Sequence, residues 1–84
     1  MTFREKLNEM HDESITLQKE FLVVIGEIRE IAAKKDALPE ELIFRRDELY
    51  HAFNKILKTH RRLINYTTEN NIVLNSEYTD DFIW

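Results

Sequence analysis

The apolar residues in the first third of the chain recur at alternating steps of four and three positions. They are Phe3, Leu7, Met10, Leu17, Phe21, Val24, Ile28 and Ile31, and Ser14 is the polar member of the series. This repeat places the side chains on one stripe of a long α-helix. Such a stripe needs a second helix to cover it, so the chain must fold by helix packing.

Capping signals give the bounds of two helices. Thr2 and Glu5 have the spacing of a capping box, which marks the start of the first helix. Pro39, followed by two glutamates, is typical of a new first turn. We therefore predict helices over about residues 2–36 and 39–70. The short turn between them makes the helices antiparallel neighbours.

The second helix has more apolar surface than one neighbouring helix covers. Its apolar positions form two adjacent columns, which span roughly 160° at about 100° per residue. The first helix also has apolar residues beside its main stripe. This surplus predicts a homodimer that forms a four-helix bundle, with cover by the C-terminal segment as the alternative. The residues expected at the dimer contact are Ile15, Leu22, Ile25, Ile43, Tyr50, Leu57 and Ile64.

Residues 71–84 form a short tail that is acidic and aromatic. Asn70 and Asn71 favour a left-handed stop to the second helix. One interpretation of the tail is a strap or short third helix that closes the open edge of the hairpin. The other is a docking peptide, in which aromatic side chains anchor a basic partner and carboxylates steer it. That peptide would use Tyr78, Asp80, Asp81, Phe82 and Trp84.

Two polar residues interrupt the apolar faces at matching positions. If the hairpin turns near Ala37, residue i lies opposite residue 74 minus i, which sets Ser14 opposite His60. We predict a buried hydrogen-bonded pair that fixes the register of the helices. A catalytic serine–histidine pair is the alternative, for which no orienting group or oxyanion donor can be named.

Charge follows the chain in three blocks. Residues 1–44, 45–62 and 63–84 carry net charges of −4, +4 and −4. This alternation is more typical of chain pairing than of a nucleic-acid surface. In the middle block the same register brings Arg46 near Glu27 and Glu30, which predicts an ion pair across the hairpin.

A basic stripe is expected on the second helix, on the side away from its apolar face. Its members are Lys55, Lys58, Arg61 and Arg62. Such a stripe suits phosphate contacts, but Glu48 and Glu69 interrupt it and no aromatic platform accompanies it. A solvated face is the preferred interpretation, and anion binding is the alternative.

Composition narrows the class of protein further. The 84 residues suit a single helical domain over 1–84, and they contain no cysteine. The three histidines lie on different faces without metal-site spacing, so no metal, cofactor or catalytic residue is expected. No apolar run approaches the roughly 20 residues of a bilayer span, and no signal-peptide pattern is present. We therefore expect a cytoplasmic protein with no membrane partner.

These observations predict an all-α antiparallel hairpin that acts as a non-catalytic protein-binding module. It would be a small regulator, inhibitor or assembly adaptor whose partners are a second copy of itself and another protein. One alternative is nucleic-acid or nucleotide binding through the basic stripe. A second is a small helical enzyme with a site near Arg46 and His60. Small helical chains are often encoded by phage, and that origin is a hypothesis by association alone.

Overall fold

The computed structural model describes residues 1–79 and contains two long α-helices within them. Helix α1 spans Phe3–Ala33 and helix α2 spans Glu40–Glu69. The fold is an all-α antiparallel hairpin, as the sequence predicts. Each helix begins and ends within three residues of the expected position. The described part of the molecule measures 55 × 19 × 17 Å.

The capping box forms at the start of α1. The Glu5 N–H donates to Thr2 Oγ1, and the Thr2 N–H donates to Glu5 Oε1, both at 3.2 Å. These two bonds satisfy backbone donors that the first turn of a helix leaves unpaired. The local sequence is therefore sufficient to fix where α1 begins.

Both helices end at a residue with left-handed backbone conformation. The φ angle is 60° at Lys35 and 52° at Asn71. At the end of α2 the Ile72 N–H donates to the Thr67 carbonyl at 2.9 Å, and an equivalent bond of 3.3 Å ends α1. This pattern is the Schellman motif. The expected stop at the end of the second helix is confirmed, whereas Lys35 takes a conformation that glycine adopts more easily.

The core lies along the contact between the two helices. Its buried apolar side chains are Phe3, Met10, Val24, Leu49 and Leu63. Every member of the α1 stripe identified from the sequence is buried or half-buried. The period of the stripe therefore describes the packed face of α1 correctly.

Residues 72–78, which we call the strap, cross the open end of the hairpin as irregular backbone. The Arg4 N–H donates to the Leu74 carbonyl at 2.8 Å, and the Tyr78 N–H donates to the Met1 carbonyl at 2.7 Å. Within residues 1–79 the tail forms no third helix. Of the two forms considered for closing this edge, the described residues adopt the strap.

Side chains of the strap extend the core at this end of the hairpin. Ile72, Leu74 and Tyr78 pack against the cluster of Phe3, Met10 and Leu63. The Tyr78 ring meets the Phe3 ring edge-on, with centroids 5.4 Å apart, a favourable arrangement for two aromatic rings.

Neither described helix is long and apolar enough to cross a membrane.

Candidate interaction surface

A groove runs between the helices on each side of the hairpin, and the two grooves differ in charge. One is lined by Gln18, Phe21, Leu22, Tyr50, Phe53 and Asn54, all of them uncharged. The other is lined by Lys6, Met10, Glu13, Leu17, Ala52, Lys55, Ile56 and Thr59. One third of the residues of this chain are charged, so an uncharged groove is a distinct feature of its surface.

Leu22 and Tyr50, two of the seven residues predicted for self-association, line the uncharged groove. We call the surface made by all seven the apolar face. Leu22 and Tyr50 are 59% and 54% exposed, and Ile15, Leu57 and Ile64 are exposed to a smaller extent. Ile25 and Ile43 are half-buried. The fold therefore leaves Leu22 and Tyr50 more than half exposed and covers the other members of this face in part.

Sequence spacing explains why these side chains share one surface. In α2 the positions 43, 50, 57 and 64 are seven residues apart, and in α1 the positions 15 and 22 have the same spacing. Residues seven apart in an α-helix project within about 20° of each other. The two columns meet at the uncharged groove through Leu22 and Tyr50.

Two other exposed apolar side chains, Val23 and Phe44, differ from the apolar face in their surroundings. Val23 is 61% exposed, but at about 100° per residue it projects away from the groove that Leu22 lines. Phe44 is 67% exposed and lies in a shallow depression with Ile43 and five charged residues. Val23 therefore lies outside the apolar face, and Phe44 borders it at Ile43 among charged side chains.

The structure buries Ser14 as expected but does not hydrogen-bond it to His60. Ser14 is buried, and its hydroxyl donates to the His11 carbonyl at 2.7 Å. The His60 ring instead faces the His11 ring, with centroids 6.5 Å apart. Sequence reasoning misses His11, because a polar residue at the edge of a stripe gives no signal of its own.

The surroundings of the His60 imidazole change its acidity. Burial lowers the pKa of His60 below its ordinary value, and the neighbouring His11 lowers it further. Both effects disfavour the cationic imidazole, one through lost hydration and the other through repulsion between like charges.

The prediction that Arg46 forms an ion pair with Glu27 or Glu30 across the hairpin is wrong. Its guanidinium contacts the neighbouring Asp47 carboxylate at 3.1 Å, and the pair across the hairpin joins Arg45 to Glu20 at 3.1 Å. The reason is the helix register. The ring contacts of His11 with His60 and of Phe21 with Tyr50 pair residue i of α1 with residue 71 minus i of α2. The sequence estimate paired residue i with residue 74 minus i.

The groups considered for a small-molecule site are far apart. Arg46 and His60 are 14 residues apart on one helix, which corresponds to about 21 Å. No group of three or more His, Asp or Glu side chains in residues 1–79 could hold a metal ion. The described residues thus bring together apolar side chains and do not bring together the candidate ionisable ones.

The four cations of the basic stripe are exposed, and none forms an ion pair with a described residue. At about 100° per residue, Lys55, Lys58, Arg61 and Arg62 spread over roughly 120° of the helix circumference. Arg61 lies at the border of the apolar face, and Lys55 lines the charged groove. The stripe is therefore broader than a single row of phosphate contacts.

Tyr78 is the member of the predicted docking peptide that the structure describes. It is half-buried in the strap, and the Lys6 ammonium lies 5.6 Å from the centre of its ring. Asp80, Asp81, Phe82 and Trp84 lie outside the described residues. For these four residues the docking peptide stays a prediction.

No protein-family model, curated protein or solved structure matches this chain.

Proposed function

We propose that this chain is a non-catalytic protein-binding module and that the apolar face is its binding surface. The observation that supports this function is the contrast between the two grooves. One groove combines exposed Leu and Tyr side chains with uncharged polar residues, and the other has charged residues on both helices. Exposed apolar side chains that share a groove are typical of interaction sites.

The energetics favour an extended protein surface as the ligand. Full burial of a Leu, Ile or Tyr side chain contributes about 1.5–3 kcal/mol, so a half-exposed one still offers about 1 kcal/mol. The face offers several such side chains along two helices, which suits a helix or helix pair laid into the groove. A module of this kind acts as a small regulator, inhibitor or assembly adaptor by occupying the surface of its partner.

Site-specific photocrosslinking tests this function. Benzoylphenylalanine replaces Leu22 on the apolar face and, as the matched control, Val23 on the outer surface; the two side chains are 59% and 61% exposed. Irradiation in an extract of the producing cells should attach a polypeptide to position 22 and far less to position 23. Equal yields at both positions, or no polypeptide attached at position 22, would overturn the proposal.

A second candidate function is anion or nucleic-acid binding by the basic stripe. The observation that favours it is that the four cations lack ion-pair partners among the described residues. Binding of a mixed-sequence duplex DNA or RNA at low salt, lost steeply as salt is raised, would support it. No binding at low salt would end it.

A further inference from the structure

We propose that His11 and His60 make binding at the apolar face depend on pH, and that binding weakens as the pH falls below about 6.5. The inference rests on the proposed function, because it concerns the regulation of the same surface. The position of the two imidazoles, the uncharged side chains around them and their loss of water on binding support it.

The two imidazoles adjoin members of the apolar face on both helices. On α1, His11 lies four residues before Ile15. On α2, His60 lies three residues after Leu57 and four before Ile64. Residues at these spacings are neighbours on the surface of a helix, and the two rings contact each other across the hairpin, with centroids 6.5 Å apart. A partner that covers these three apolar side chains therefore also covers the histidine pair.

Uncharged side chains surround the pair on both helices. The other positions that lie three or four residues from either histidine hold Leu7, Asn8, Ser14, Ile56 and Leu63. Because these positions form the adjoining turns of each helix, no charged side chain lies one turn away from either imidazole.

Charged residues closer in sequence project away from the pair. At about 100° per residue, each charged residue within two positions of a histidine points at least about 100° away from that imidazole. In the strap, the charged residue Glu77 pairs with the Met1 ammonium at 3.1 Å. Within residues 1–79 neither imidazole forms an ion pair. The charged residues within two positions are Glu9, Asp12, Glu13, Lys58, Arg61 and Arg62.

Water is therefore what stabilises a cationic imidazole in this pair. In the hairpin alone, burial lowers the pKa of His60, and His11 lowers it further. A partner that covers the pair removes more water, which disfavours the cationic form again. The pKa of His60 is therefore lower in the bound state than in the free hairpin.

The sign of the pH dependence follows from the linkage between proton and partner. When binding depresses a histidine pKa, binding is strongest above the pKa of the free state and weakens as the pH falls through it. Because the pKa of His60 in the free hairpin is below its ordinary value of 6.5, the weakening begins below that pH. Each proton that the free hairpin takes up and the complex does not lowers the affinity by up to about tenfold per pH unit.

Photocrosslinking at two pH values tests the proposal. The chain carries benzoylphenylalanine at position 22, which lies about 16 Å along α1 from His11 and leaves the histidine pair unaltered. Irradiation in an extract of the producing cells is compared at pH 7.5 and at the lowest pH, near 5.5, at which far-ultraviolet circular dichroism shows the chain still helical. The yield of crosslinked polypeptide should fall about tenfold at the lower pH.

Histidine variants of the same chain separate the pair from effects of pH on the partner. In His11→Gln/His60→Gln both side chains stay uncharged at either pH, so the double variant should lose most of the pH dependence. The control is His51→Gln, because the exposed His51 ring contacts Tyr50 of the apolar face at 5.8 Å but lies outside the pair. This control should keep the tenfold decrease. An equal decrease in the parent chain and the double variant, or loss of the decrease in His51→Gln, would overturn the proposal.

The two proposals fail in different ways. If position 22 crosslinks to a polypeptide with equal yield at both pH values, the histidine pair does not regulate the face and the proposed function stands. If position 22 crosslinks to no polypeptide at pH 7.5, the proposed function fails and the pH dependence fails with it.

Discussion

The imidazole rings of His11 and His60 face each other across the two helices, with centroids 6.5 Å apart. His11 also accepts a hydrogen bond from the buried Ser14 hydroxyl through its backbone carbonyl. Because partial burial and His11 lower the pKa of His60, this contact couples the stability of the hairpin to pH.

The sign of the coupling follows from proton binding. Below an unfolded pKa of about 6.5, the unfolded chain takes up a proton at His60 that the folded chain resists. Stability is therefore complete above about pH 7 and is lost as pH falls from 6.5 through the lowered folded pKa. Melting temperatures between pH 7.5 and 5 should fall for the wild-type chain and fall less for His60→Gln.

A direct control comes from histidine titration by NMR. His60 should titrate below pH 6.5 in the wild-type chain, and its pKa should rise in His11→Gln, because one source of repulsion is removed. A His60 resonance that titrates above 6.5, or that ignores the change at position 11, would contradict this account of the contact.

The strap should contribute to stability through Tyr78. Tyr78→Ala removes the edge-on contact with Phe3 and should cost about 2 kcal/mol, since large core truncations cost about 3–5 kcal/mol and this ring is half-buried. The melting temperature should fall by about 10 °C. The control is Val73→Ala in the same segment, whose side chain is 68% exposed and whose loss should change melting by no more than about 2 °C. Equal effects of the two variants on the melting temperature would contradict the stabilising role of Tyr78 in the strap.

Gly26 lies within α1, and a Cβ added there would meet nothing within 4 Å. Gly26→Ala should therefore raise stability by about 0.5–1 kcal/mol, because alanine has the higher helix propensity. Thermal melting measures the gain, and the reverse change at an exposed helical position, Ala52→Gly, should lower stability by a similar amount. A loss of stability in Gly26→Ala would indicate that another chain packs closely against this glycine.

Lys35 holds a left-handed conformation with φ of 60°, which costs a non-glycine residue about 1 kcal/mol. Lys35→Gly relieves that cost and should stabilise the hairpin by about 0.5 kcal/mol after the added freedom of the unfolded chain is counted. The control is Lys34→Gly, because Lys34 has right-handed helical geometry and gains nothing from glycine. Chemical denaturation should separate the two variants, and equal midpoints would contradict the assigned turn.

Local rules were sufficient for the fold because caps and periodicity act over a few residues. The Thr2 and Glu5 bonds and the Asn71 stop are local features of this kind. The helix register was not predictable to better than a few residues, because it depends on the backbone path through the turn. Lys35 in this turn has a left-handed backbone conformation, which a lysine in the sequence does not predict. The offset of three residues is enough to change the partner of Arg46.

The residues of the candidate surface were predictable from the sequence, but the difference in charge between the two grooves was not. The heptad columns identify Leu22 and Tyr50 from sequence alone. Whether the opposite groove is charged depends on which residues face each other, and that depends on register. Ser14 shows the same limit, because a buried serine in a helix satisfies its hydroxyl locally, here on the His11 carbonyl.

Thiol accessibility tests the central claim most directly, because the chain has no cysteine of its own. Leu22→Cys and Tyr50→Cys lie on the apolar face, and Val23→Cys and Phe44→Cys lie outside it at similar exposure in the hairpin. Iodoacetamide should alkylate positions 22 and 50 at least several-fold more slowly than positions 23 and 44, both at high protein concentration and in cell extract. Four equal rates under both conditions would show that nothing covers the apolar face and would contradict the account.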